Sequence, residues 1–312
     1  MKHPITITLA SDDNYARHMG IVTLSVLANA NEPQRYMFYF LDAGISTANR
    51  ERIRSIIERY SAGCRFITPD TKGYGEIPLK RYGVAALFRL SLSTLLPPDV
   101  ERVIYLDCDV LAFDDLGKLW RTELEGHIVG AVTNLGKQPV ERLGILDGDY
   151  FNSGVMLIDL QKWRRESVGE CTLAFMQQNT EQLVFPDQDG LNHVLQGKWG
   201  HLPLRWNQQP ASYHMLEKGK TQPPLTKEQL REAVTKPGIV HYLGKNKPWN
   251  YMTFHPLKEN YWGYIEQSPW KGASPEHRRL KDRLKKALQL EKNLKHLLRR
   301  QKTPTATRMR GL

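Results

Sequence analysis

Residues 102–109 read Arg-Val-Ile-Tyr-Leu-Asp-Cys-Asp, an apolar run that ends in two carboxylates separated by one cysteine. The run has no polar alternation and is rich in β-branched and aromatic residues, which is typical of a strand that is buried on both faces. Parallel sheets carry helices on both faces and contain such strands. The stretch therefore predicts an α/β protein in which Asp107 and Asp109 follow a core strand at its carboxyl end.

Strand and helix patterns alternate on either side of this stretch. The predicted strands are residues 5–10, 36–42, 64–68, 128–133, 155–160 and 239–242. The predicted helices are residues 20–30, 47–60, 84–96 and 188–195. This order favours a mostly parallel central sheet with helices on both faces. Residues 208–237 are rich in proline and polar side chains and are predicted to be a loop-rich insertion.

The net positive charge of the chain lies in its last forty or so residues. The 312 residues are 40% hydrophobic, which is enough for one large core. Residues 271–312 hold fourteen Lys and Arg against three Asp and Glu, and this excess equals the whole formal net charge of +11. Residues 1–270 are therefore balanced and have no general affinity for polyanions. We divide the chain into a body, residues 1–270, and a basic tail, residues 271–312.

The cysteines and the apolar segments bear on the cellular compartment. Cys64, Cys108 and Cys171 are odd in number and have no C-x-x-C spacing, so neither a disulfide framework nor a zinc site is indicated. The first residues leave no room for a secretory signal, and no stretch reaches the roughly eighteen apolar residues of a membrane-spanning helix. We expect a cytoplasmic protein.

The basic tail has an amphipathic pattern. One helical face would carry Leu280, Leu284, Ala287, Leu288, Leu294 and Leu298, while basic residues fill the other faces. Basic amphipathic helices dock on anionic membrane surfaces, which is one prediction for this tail. The alternative is a solvated helix that packs on the body through its leucines. The charge is not interleaved with aromatic residues, which argues against nucleic-acid binding.

The Asp107 and Asp109 carboxylates suggest a cation site. Two carboxylates that emerge from a buried strand are costly unless positive charge meets them. Side chains at i and i+2 of an extended chain point the same way, so both can bind one divalent cation. Such a cation would bridge to a diphosphate and neutralise the charge that develops on it. The alternative is a polar turn without a ligand, because a single D-x-D motif often occurs by chance.

A second motif, residues 240–249, reads Val-His-Tyr-Leu-Gly-Lys-Asn-Lys-Pro-Trp. It places His241 in a predicted strand that a glycine turn and lysines follow. Two carboxylates and an imidazole suit Mn²⁺ better than Mg²⁺, which prefers oxygen ligands and is the second candidate. Lys247 would place a point charge on a phosphate. The alternative for His241 is a core histidine whose hydrogen bonds are satisfied within the protein.

Two further motifs carry polar side chains. Residues 151–154, Phe-Asn-Ser-Gly, precede a predicted strand, and Asn152 and Ser153 offer hydrogen bonds to sugar hydroxyls, although turn chemistry explains them equally well. Residues 185–189 open a predicted helix, with Asp187 as its N-cap and Asp189 as a partner of the helix dipole. A helix N-terminus beside a diphosphate site also attracts negatively charged groups.

Six stretches that occur in this order resemble retaining glycosyltransferase family 8. They are residues 10–16, 88–90, 105–109, 151–154, 187–189 and 241–249, within a match from about Ile5 to about Trp249. The likeness is greatest to bacterial lipooligosaccharide α-1,4-galactosyltransferases and lipopolysaccharide core hexosyltransferases. The resemblance implies a GT-A fold, and transfer of galactose or glucose from a UDP-sugar to a saccharide or glycolipid acceptor. It also implies that the basic tail holds the enzyme at the inner face of the cytoplasmic membrane.

The resemblance also implies roles for single residues. Asp107, Asp109 and His241 would bind Mn²⁺. Contacts to the UDP-sugar donor are expected from Ala10, Asp12, Asn14, Arg89, Asp107, Cys108, Asp109, Asn152, Ser153, Asp187, Gln188, Gly244 and Lys247. Asp187 and Gln188 would be the catalytic pair. Gln188 would lie beneath the anomeric carbon, where the family lacks an obvious carboxylate nucleophile, and retention is often explained by departure and attack on one face of the sugar.

Three positions depart from the galactosyltransferase pattern. This chain has Asn134, Phe185 and Leu243 where that pattern has an acidic residue, a tyrosine and a cysteine. All three lie where an acceptor is expected, so the acceptor stays open. A non-catalytic protein that binds sugar nucleotides or glycans is an alternative on the same scaffold. A glycoside hydrolase fits poorly, because its two acids flank the scissile bond at about 5–10 Å, whereas Asp107 and Asp109 point the same way.

Overall fold

The computed structural model describes residues 4–74, 77, 83–136, 138, 140–146, 148–221 and 225–277. The strands within these residues are β1 (Ile5–Ser11), β2 (Tyr36–Asp42), β3 (Gly63–Ile67), β4 (Arg102–Leu106), β5 (Val110–Ala112), β6 (Val129–Thr133), β7 (Phe151–Asp159), β8 (Trp199–His201) and β9 (Ile239–His241). The α-helices are α1 (Ala16–Ala28), α2 (Thr47–Arg59), α3 (Leu92–Leu95), α4 (Leu116–Trp120), α5 (Val140–Leu143), α6 (Leu160–Arg165), α7 (Val168–Gln178), α8 (Pro186–Val194), α9 (Ala211–Glu217), α10 (Lys227–Thr235) and α11 (Lys258–Glu266). Four 3₁₀ segments are Pro33–Arg35, Lys72–Tyr74, Val84–Ser91 and Leu204–Asn207.

The main sheet has the strand order β3-β2-β1-β4-β7-β6-β8. Its pairings are parallel except around β7, which runs antiparallel to both β4 and β6. The predicted mostly parallel α/β sheet is therefore confirmed. Because β7 is reversed, its first residues lie at the same edge of the sheet as the carboxyl ends of β1 and β4.

The strand β4 contributes to the core on both faces of the sheet. Ile104 and Leu106 belong to one apolar cluster, which also includes side chains of α1 and α2. Val103 and Tyr105 belong to a second cluster, on the opposite face, with side chains of α7 and the Val84–Ser91 segment. None of the four is more than 1% exposed. Each buried side chain of this kind stabilises the fold by about 1.5–3 kcal/mol, which explains why the run has no polar alternation.

A small second sheet pairs β5 with β9 in antiparallel fashion, with Val110 opposite His241. The residue before β5 is Asp109, and His241 is the last residue of β9. This pairing therefore brings the acidic motif and the distant histidine to one place at the edge of the main sheet.

Three element predictions differ from the structure. The strand expected at residues 155–160 begins at Phe151, because an irregularity between Ala131 and Val132 of β6 lets the pairing continue as far as Thr133. The insertion expected to be loop-rich contains α9 and α10, and α10 begins with a reciprocal cap between Thr226 and Gln229. The helix expected at residues 84–96 is a 3₁₀ segment for most of its length, followed by the single turn α3.

The first residues of the basic tail pack on the body. The Glu276 amide donates to the Trp249 carbonyl, the Tyr251 amide donates to the Glu276 carbonyl, and the Glu276 carboxylate pairs with Arg17. The amphipathic helix predicted further along, in residues 278–312, lies outside the described residues. Among the helices that the structure describes, none combines the length and the apolar content needed to cross a bilayer.

Candidate active site

Asp107, Asp109 and His241 come together at the carboxyl end of β4. One ligand atom from each lies within 4.8 Å of the others. The His241 Nε2 atom is 3.0 Å from Asp109 Oδ1 and 3.9 Å from Asp107 Oδ2, and His241 is 1% exposed. The fold thus brings the three residues that were expected to bind a cation into one cluster.

The acidic motif converges for a different reason than the one expected from the sequence. Residues 107–109 form a turn between β4 and β5 and are not extended. The Asp107 amide donates to the Gly154 carbonyl at 2.8 Å, and the Asp109 carbonyl accepts from the Tyr242 amide at 2.9 Å. The turn is therefore held by a backbone hydrogen bond at each end, which fixes where its carboxylates lie.

Gly154 permits the close approach of the two halves of this cluster. A Cβ atom at this position would lie 2.2 Å from His241 Cε1 and 2.7 Å from Asp107 Oδ2. The sequence motif suggested only a flexible backbone here. The structure shows a need for space, since the imidazole packs directly over the backbone of β7.

Arg89 compensates two carboxylates. Its Nη2 atom is 2.7 Å from Asp107 Oδ1, its Nη1 atom is 3.2 Å from Asp187 Oδ2, and its guanidinium stacks 4.3 Å from the centre of the Tyr105 ring. Burial opposes the charge of Arg89, but Asp107 and Asp187 raise its pKa above the usual range. Burial raises the pKa of Asp187, and Arg89 opposes that shift. Arg89 was expected to contact the donor, and it lies within the site.

Lys247 compensates the remaining carboxylate. Its ammonium group contacts Asp109 Oδ2 and donates to the Tyr242 carbonyl at 2.8 Å. Burial opposes ionisation of Asp109, but Lys247 and His241 hold its pKa well below the usual range. Lys247 was expected to bind a phosphate, and in this structure it lies beside Asp109 of the candidate cation site.

The donor set fits a divalent cation. The His241 Nε2 atom is buried and faces two carboxylates, but it makes no hydrogen bond of good geometry to either, although Asp109 Oδ1 is 3.0 Å away. One imidazole and two carboxylates form the mixed nitrogen and oxygen set that Mn²⁺ accepts. The neighbouring Cys108 thiol turns away and donates to the Ala10 carbonyl at 3.3 Å, and burial raises the pKa of this thiol well above its usual value. A soft thiolate ligand is therefore not part of the set.

A wall of buried polar side chains adjoins the cluster. Gln188 accepts hydrogen bonds at Oε1 from Asn152 Nδ2 and from the Ser153 amide, each at 3.1 Å, and its Nε2 donates to the Tyr150 hydroxyl at 3.1 Å. The Ser153 hydroxyl donates to Asp187 Oδ2 at 3.3 Å. One connected surface is therefore formed by the four residues predicted to bind or act on a sugar, namely Asn152, Ser153, Asp187 and Gln188. We call this surface the polar wall.

The start of α8 differs from the prediction. Phe185 occupies the N-cap position and Pro186 the first helical position, so Asp187 lies within the first turn and is not the cap. Pro186 sets the start of the helix because its fixed φ angle suits the first turn. Asp189 accepts from the Val184 and Phe185 amides and from the Tyr150 hydroxyl, so it satisfies the free amides at this end.

The remaining predicted donor contacts lie in loops at the same edge of the sheet. Asp12 follows β1 and accepts from the Asn14 side chain and from the Tyr15 amide, each at 3.1 Å. Gly244 follows β9, has a φ angle of 73°, and has open space where a side chain would be. The roles of these residues toward a donor stay predictions.

Tyr15 was not selected from the sequence. Its side chain is 43% exposed, its ring meets Trp249 edge-on at 5.9 Å, and burial together with Asp109 raises its pKa to about 12. An aromatic residue in the polar loop after the first strand was the signal that could have identified it. Of the three residues that depart from the family pattern, Asn134 contacts the polar wall, since its Oδ1 accepts from Asn152 Nδ2 at 3.3 Å.

Known proteins share both the sequence and the architecture. General stress protein A of Bacillus subtilis (strain 168) is 34% identical over 270 residues, which are 85% of this chain and 94% of that protein. Lipopolysaccharide 1,2-glucosyltransferase of Escherichia coli (strain K12) is 27% identical over 301 residues, which are 94% of this chain and 85% of that protein.

A solved structure of the galactosyltransferase LgtC in complex with donor and acceptor sugar analogs matches with a TM-score of 0.76 and 30% sequence identity, and it covers 87% of this chain and 98% of that chain. The predicted GT-A fold is confirmed by this match. The sequence model of Glycosyl transferase family 8 matches residues 6–253. This range includes Asp107, Asp109 and His241 and every residue of the polar wall. The resemblance noted in the sequence is thereby confirmed, and the chain belongs to glycosyltransferase family 8.

Proposed function

We propose that this chain transfers galactose or glucose from a UDP-sugar to a saccharide acceptor of the lipopolysaccharide or lipooligosaccharide class, with retention of anomeric configuration and with Mn²⁺ as cofactor. The observation that carries the proposal is the cluster of Asp107, Asp109 and His241, in which a buried imidazole nitrogen without a hydrogen bond of good geometry faces two carboxylates. Such a cluster beside a wall of amide and hydroxyl groups suits a ligand that has a diphosphate at one end and a sugar at the other.

The relatives support the class of donor and acceptor. One is named for glucosyl transfer to lipopolysaccharide, and another, from Salmonella typhimurium, for 1,3-galactosyl transfer to lipopolysaccharide. LgtC was solved with analogs of both a donor and an acceptor sugar. We therefore extend a hexose donor and a saccharide acceptor to this chain.

The charges of the site would serve the leaving group. A bound Mn²⁺ supplies positive charge against the diphosphate as the bond to the sugar breaks. Lys247 lies on Asp109 and would turn to a phosphate once a cation compensates that carboxylate, which its flexible stem allows. Arg89 stays paired with Asp107 and Asp187, so its positive charge faces both carboxylates. Tyr15 would offer its exposed ring to the base.

The polar wall would hold the hexose. Asp187 accepts hydrogen bonds, so its carboxylate can bind a sugar hydroxyl, and Asn152 presents an amide beside it. The Gln188 side chain is neutral and is held by three hydrogen bonds within the protein. We assign Gln188 the position beneath the anomeric carbon, where an amide stabilises developing positive charge without forming a stable bond. Attack on the face from which UDP leaves would then preserve the configuration.

The basic tail would place the enzyme on its acceptor. Residues 278–312 hold thirteen Lys and Arg against two Asp and Glu, an excess that equals the whole net charge of +11. Two of the relatives are named for transfer to lipopolysaccharide. We propose that this tail binds anionic lipid. Flotation with vesicles that contain an anionic lipid should retain the whole chain and release a chain that ends at His277. Equal flotation of both chains would contradict this assignment.

The test of the function is donor turnover by the whole chain. Purified protein is incubated with UDP-[¹⁴C]galactose or UDP-[¹⁴C]glucose, with and without Mn²⁺, and release of hexose is measured. We expect cation-dependent consumption of one donor, and the α-anomer as the first product in proton NMR. Asp109→Asn should remove most of the turnover because a ligand charge is lost.

Asp114→Asn is the matched control. Asp114 lies five positions further along the chain, pairs with Lys118 and Arg205, and makes no contact with the site. It should keep the turnover of the unmodified chain. Turnover without a cation, or full activity of Asp109→Asn, would refute the cation assignment. Binding of a UDP-sugar without any product would indicate a binding protein instead.

A further inference from the structure

Asn207 contacts the histidine of the cluster from the side opposite the carboxylates. Its Oδ1 atom lies 3.0 Å from His241 Nδ1, and its own exposure is 0%. Asn207 is the last residue of the 3₁₀ segment Leu204–Asn207, and the next residue, Gln208, pairs with β9 through its backbone. The fold thus holds Asn207 beside His241, although no sequence motif included it.

The orientation of the Asn207 amide follows from a backbone group. The Gly154 amide donates to Asn152 Oδ1 at 3.2 Å, and a backbone N–H can only donate. This fixes which end of the Asn152 side chain is the oxygen. Asn207 Nδ2 lies 2.8 Å from that same oxygen and donates to it. The other end of the Asn207 amide, its oxygen, therefore faces His241.

The tautomer of His241 follows in turn. An amide oxygen can only accept, so the hydrogen bond at 3.0 Å requires a proton on His241 Nδ1. The neutral ring then carries its lone pair on Nε2, the atom that faces Asp109 and Asp107. Metal-binding histidines commonly have their other nitrogen fixed by such an outer partner.

The same chain of hydrogen-bonded amides continues into the polar wall. Asn152 Nδ2 donates to Gln188 Oε1 at 3.1 Å, Gln188 Nε2 donates to the Tyr150 hydroxyl, and Tyr150 donates to Asp189. Each member is at most 8% exposed, so water does not compete for these bonds. One hydrogen-bonded chain thus links His241 to Gln188.

We propose that Asn207 is a positioning residue that holds a proton of the His241 ring on Nδ1, so that Nε2 faces the candidate cation site. The consequence for cation binding rests on the proposed function, because it assumes a cation at His241. Asn207 itself lies on the opposite side of the imidazole.

Three variants test this role. Asn207→Leu has a similar volume and removes both the acceptor and the donor. Asn207→Asp keeps the acceptor toward His241 and removes the donor toward Asn152. Gln208→Leu is the matched control, since Gln208 is a buried neighbouring amide whose side chain bonds Ser212 and the Gln209 carbonyl and does not contact His241.

The first measurement needs neither cation nor donor. The whole chain is labelled with ¹⁵N in its histidine rings, and the His241 signals are assigned by their loss in His241→Ala. We expect a protonated Nδ1 in the unmodified chain, in Asn207→Asp and in Gln208→Leu. Asn207→Leu should show a smaller fraction of rings with a protonated Nδ1. An unprotonated Nδ1 in the unmodified chain would overturn the proposal.

The second measurement is Mn²⁺ affinity, from the electron paramagnetic resonance signal of the free ion. Asn207→Leu should bind about 10–100-fold more weakly, the loss that follows removal of an outer partner. Asn207→Asp should bind Mn²⁺ at least as well as the unmodified chain, because it keeps the acceptor toward His241 Nδ1. If Asn207→Leu does not fold, Asn207→Asp decides, and a folded Asn207→Asp without Mn²⁺ affinity overturns the proposal.

The two proposals fail in different ways. An unmodified chain that binds no Mn²⁺ would contradict the proposed function, whereas the tautomer measured without a cation tests the hydrogen-bonded chain separately. A folded Asn207→Leu with unchanged Mn²⁺ affinity and an unchanged tautomer would leave the proposed function standing and refute the role of Asn207.

Discussion

The substitution Gly154→Ala tests the geometry of the candidate cation site with a single methyl group. Gly154 lies in β7 and does not have a positive φ angle, so alanine fits its backbone. The new Cβ atom would lie 2.2 Å from His241 Cε1 and 2.7 Å from Asp107 Oδ2. Non-bonded carbon atoms normally stay about 3.5–4.0 Å apart, so one side chain must shift by about 1 Å or more.

The shift is large compared with what a cation site tolerates. Ligand distances must stay within about 0.2 Å of their usual values, so a displacement of about 1 Å removes His241 from useful range. We expect Mn²⁺ affinity to fall by about 10–100-fold or more, since even outer partners contribute that much. Overpacking of this kind costs about 1–3 kcal/mol in the free energy of unfolding, which a domain of this size tolerates.

The assay pairs Mn²⁺ titration by electron paramagnetic resonance with urea unfolding. Gly263→Ala is the control, because this glycine lies in α11 with nothing within 4 Å of an added Cβ atom. It should keep full Mn²⁺ affinity. A folded Gly154→Ala protein that binds Mn²⁺ as tightly as the unmodified chain would refute the assignment of His241 as a ligand.

Three further predictions concern Lys247, the segment after Pro269 and the buried His255. Lys247→Met should weaken donor binding about tenfold but leave Mn²⁺ affinity equal or higher, because the Lys247 ammonium no longer competes for Asp109. Calorimetry measures both affinities. Weaker Mn²⁺ binding with unchanged donor binding would contradict the assignment of Lys247 to a phosphate. A chain that ends at His277 should have a free energy of unfolding in urea about 3 kcal/mol higher than one that ends at Pro269. The shorter chain loses Trp270 and the Arg17–Glu276 pair. Equal free energies of unfolding would show that this segment does not stabilise the body. Burial lowers the pKa of His255 from 6.5 to about 4. Between these two pH values the unfolded chain binds a proton that the folded chain does not. The free energy of unfolding should therefore fall by about 2 kcal/mol from pH 7 to pH 5. His255→Asn should lose that part of the slope in urea unfolding, and an unchanged slope would contradict the shift.

The sequence was sufficient for features that depend on local pattern. The run before Asp107 predicted a strand buried on both faces because every side chain in it is apolar, and the structure has that strand. The two carboxylates after this strand indicated a cation site, because buried carboxylates are costly without positive charge. The grouping of His241 with them came from the resemblance to the family, and the structure places the three side chains together.

Other features depend on contacts between distant segments. The need for Gly154 arises from the imidazole packed above it, and nothing in the neighbouring residues indicates that contact. Asn207 lies among polar residues that predicted a loop, yet the backbone pairing of Gln208 with β9 brings it to His241. The helix α10 was readable in principle, because Thr226 and Gln229 have the spacing of a capping box.

The pairing of β5 with β9 has a consequence for how the protein refolds. Asp109 and Lys247, which meet beside this pairing, are 138 positions apart in the chain. Closing so long a loop costs entropy before any contact repays it, and pairings of this kind form slowly. The refolding chain would gain its affinity for Mn²⁺ only after these two strands have met, so uptake of the ion reports the time at which the ends of the catalytic region join.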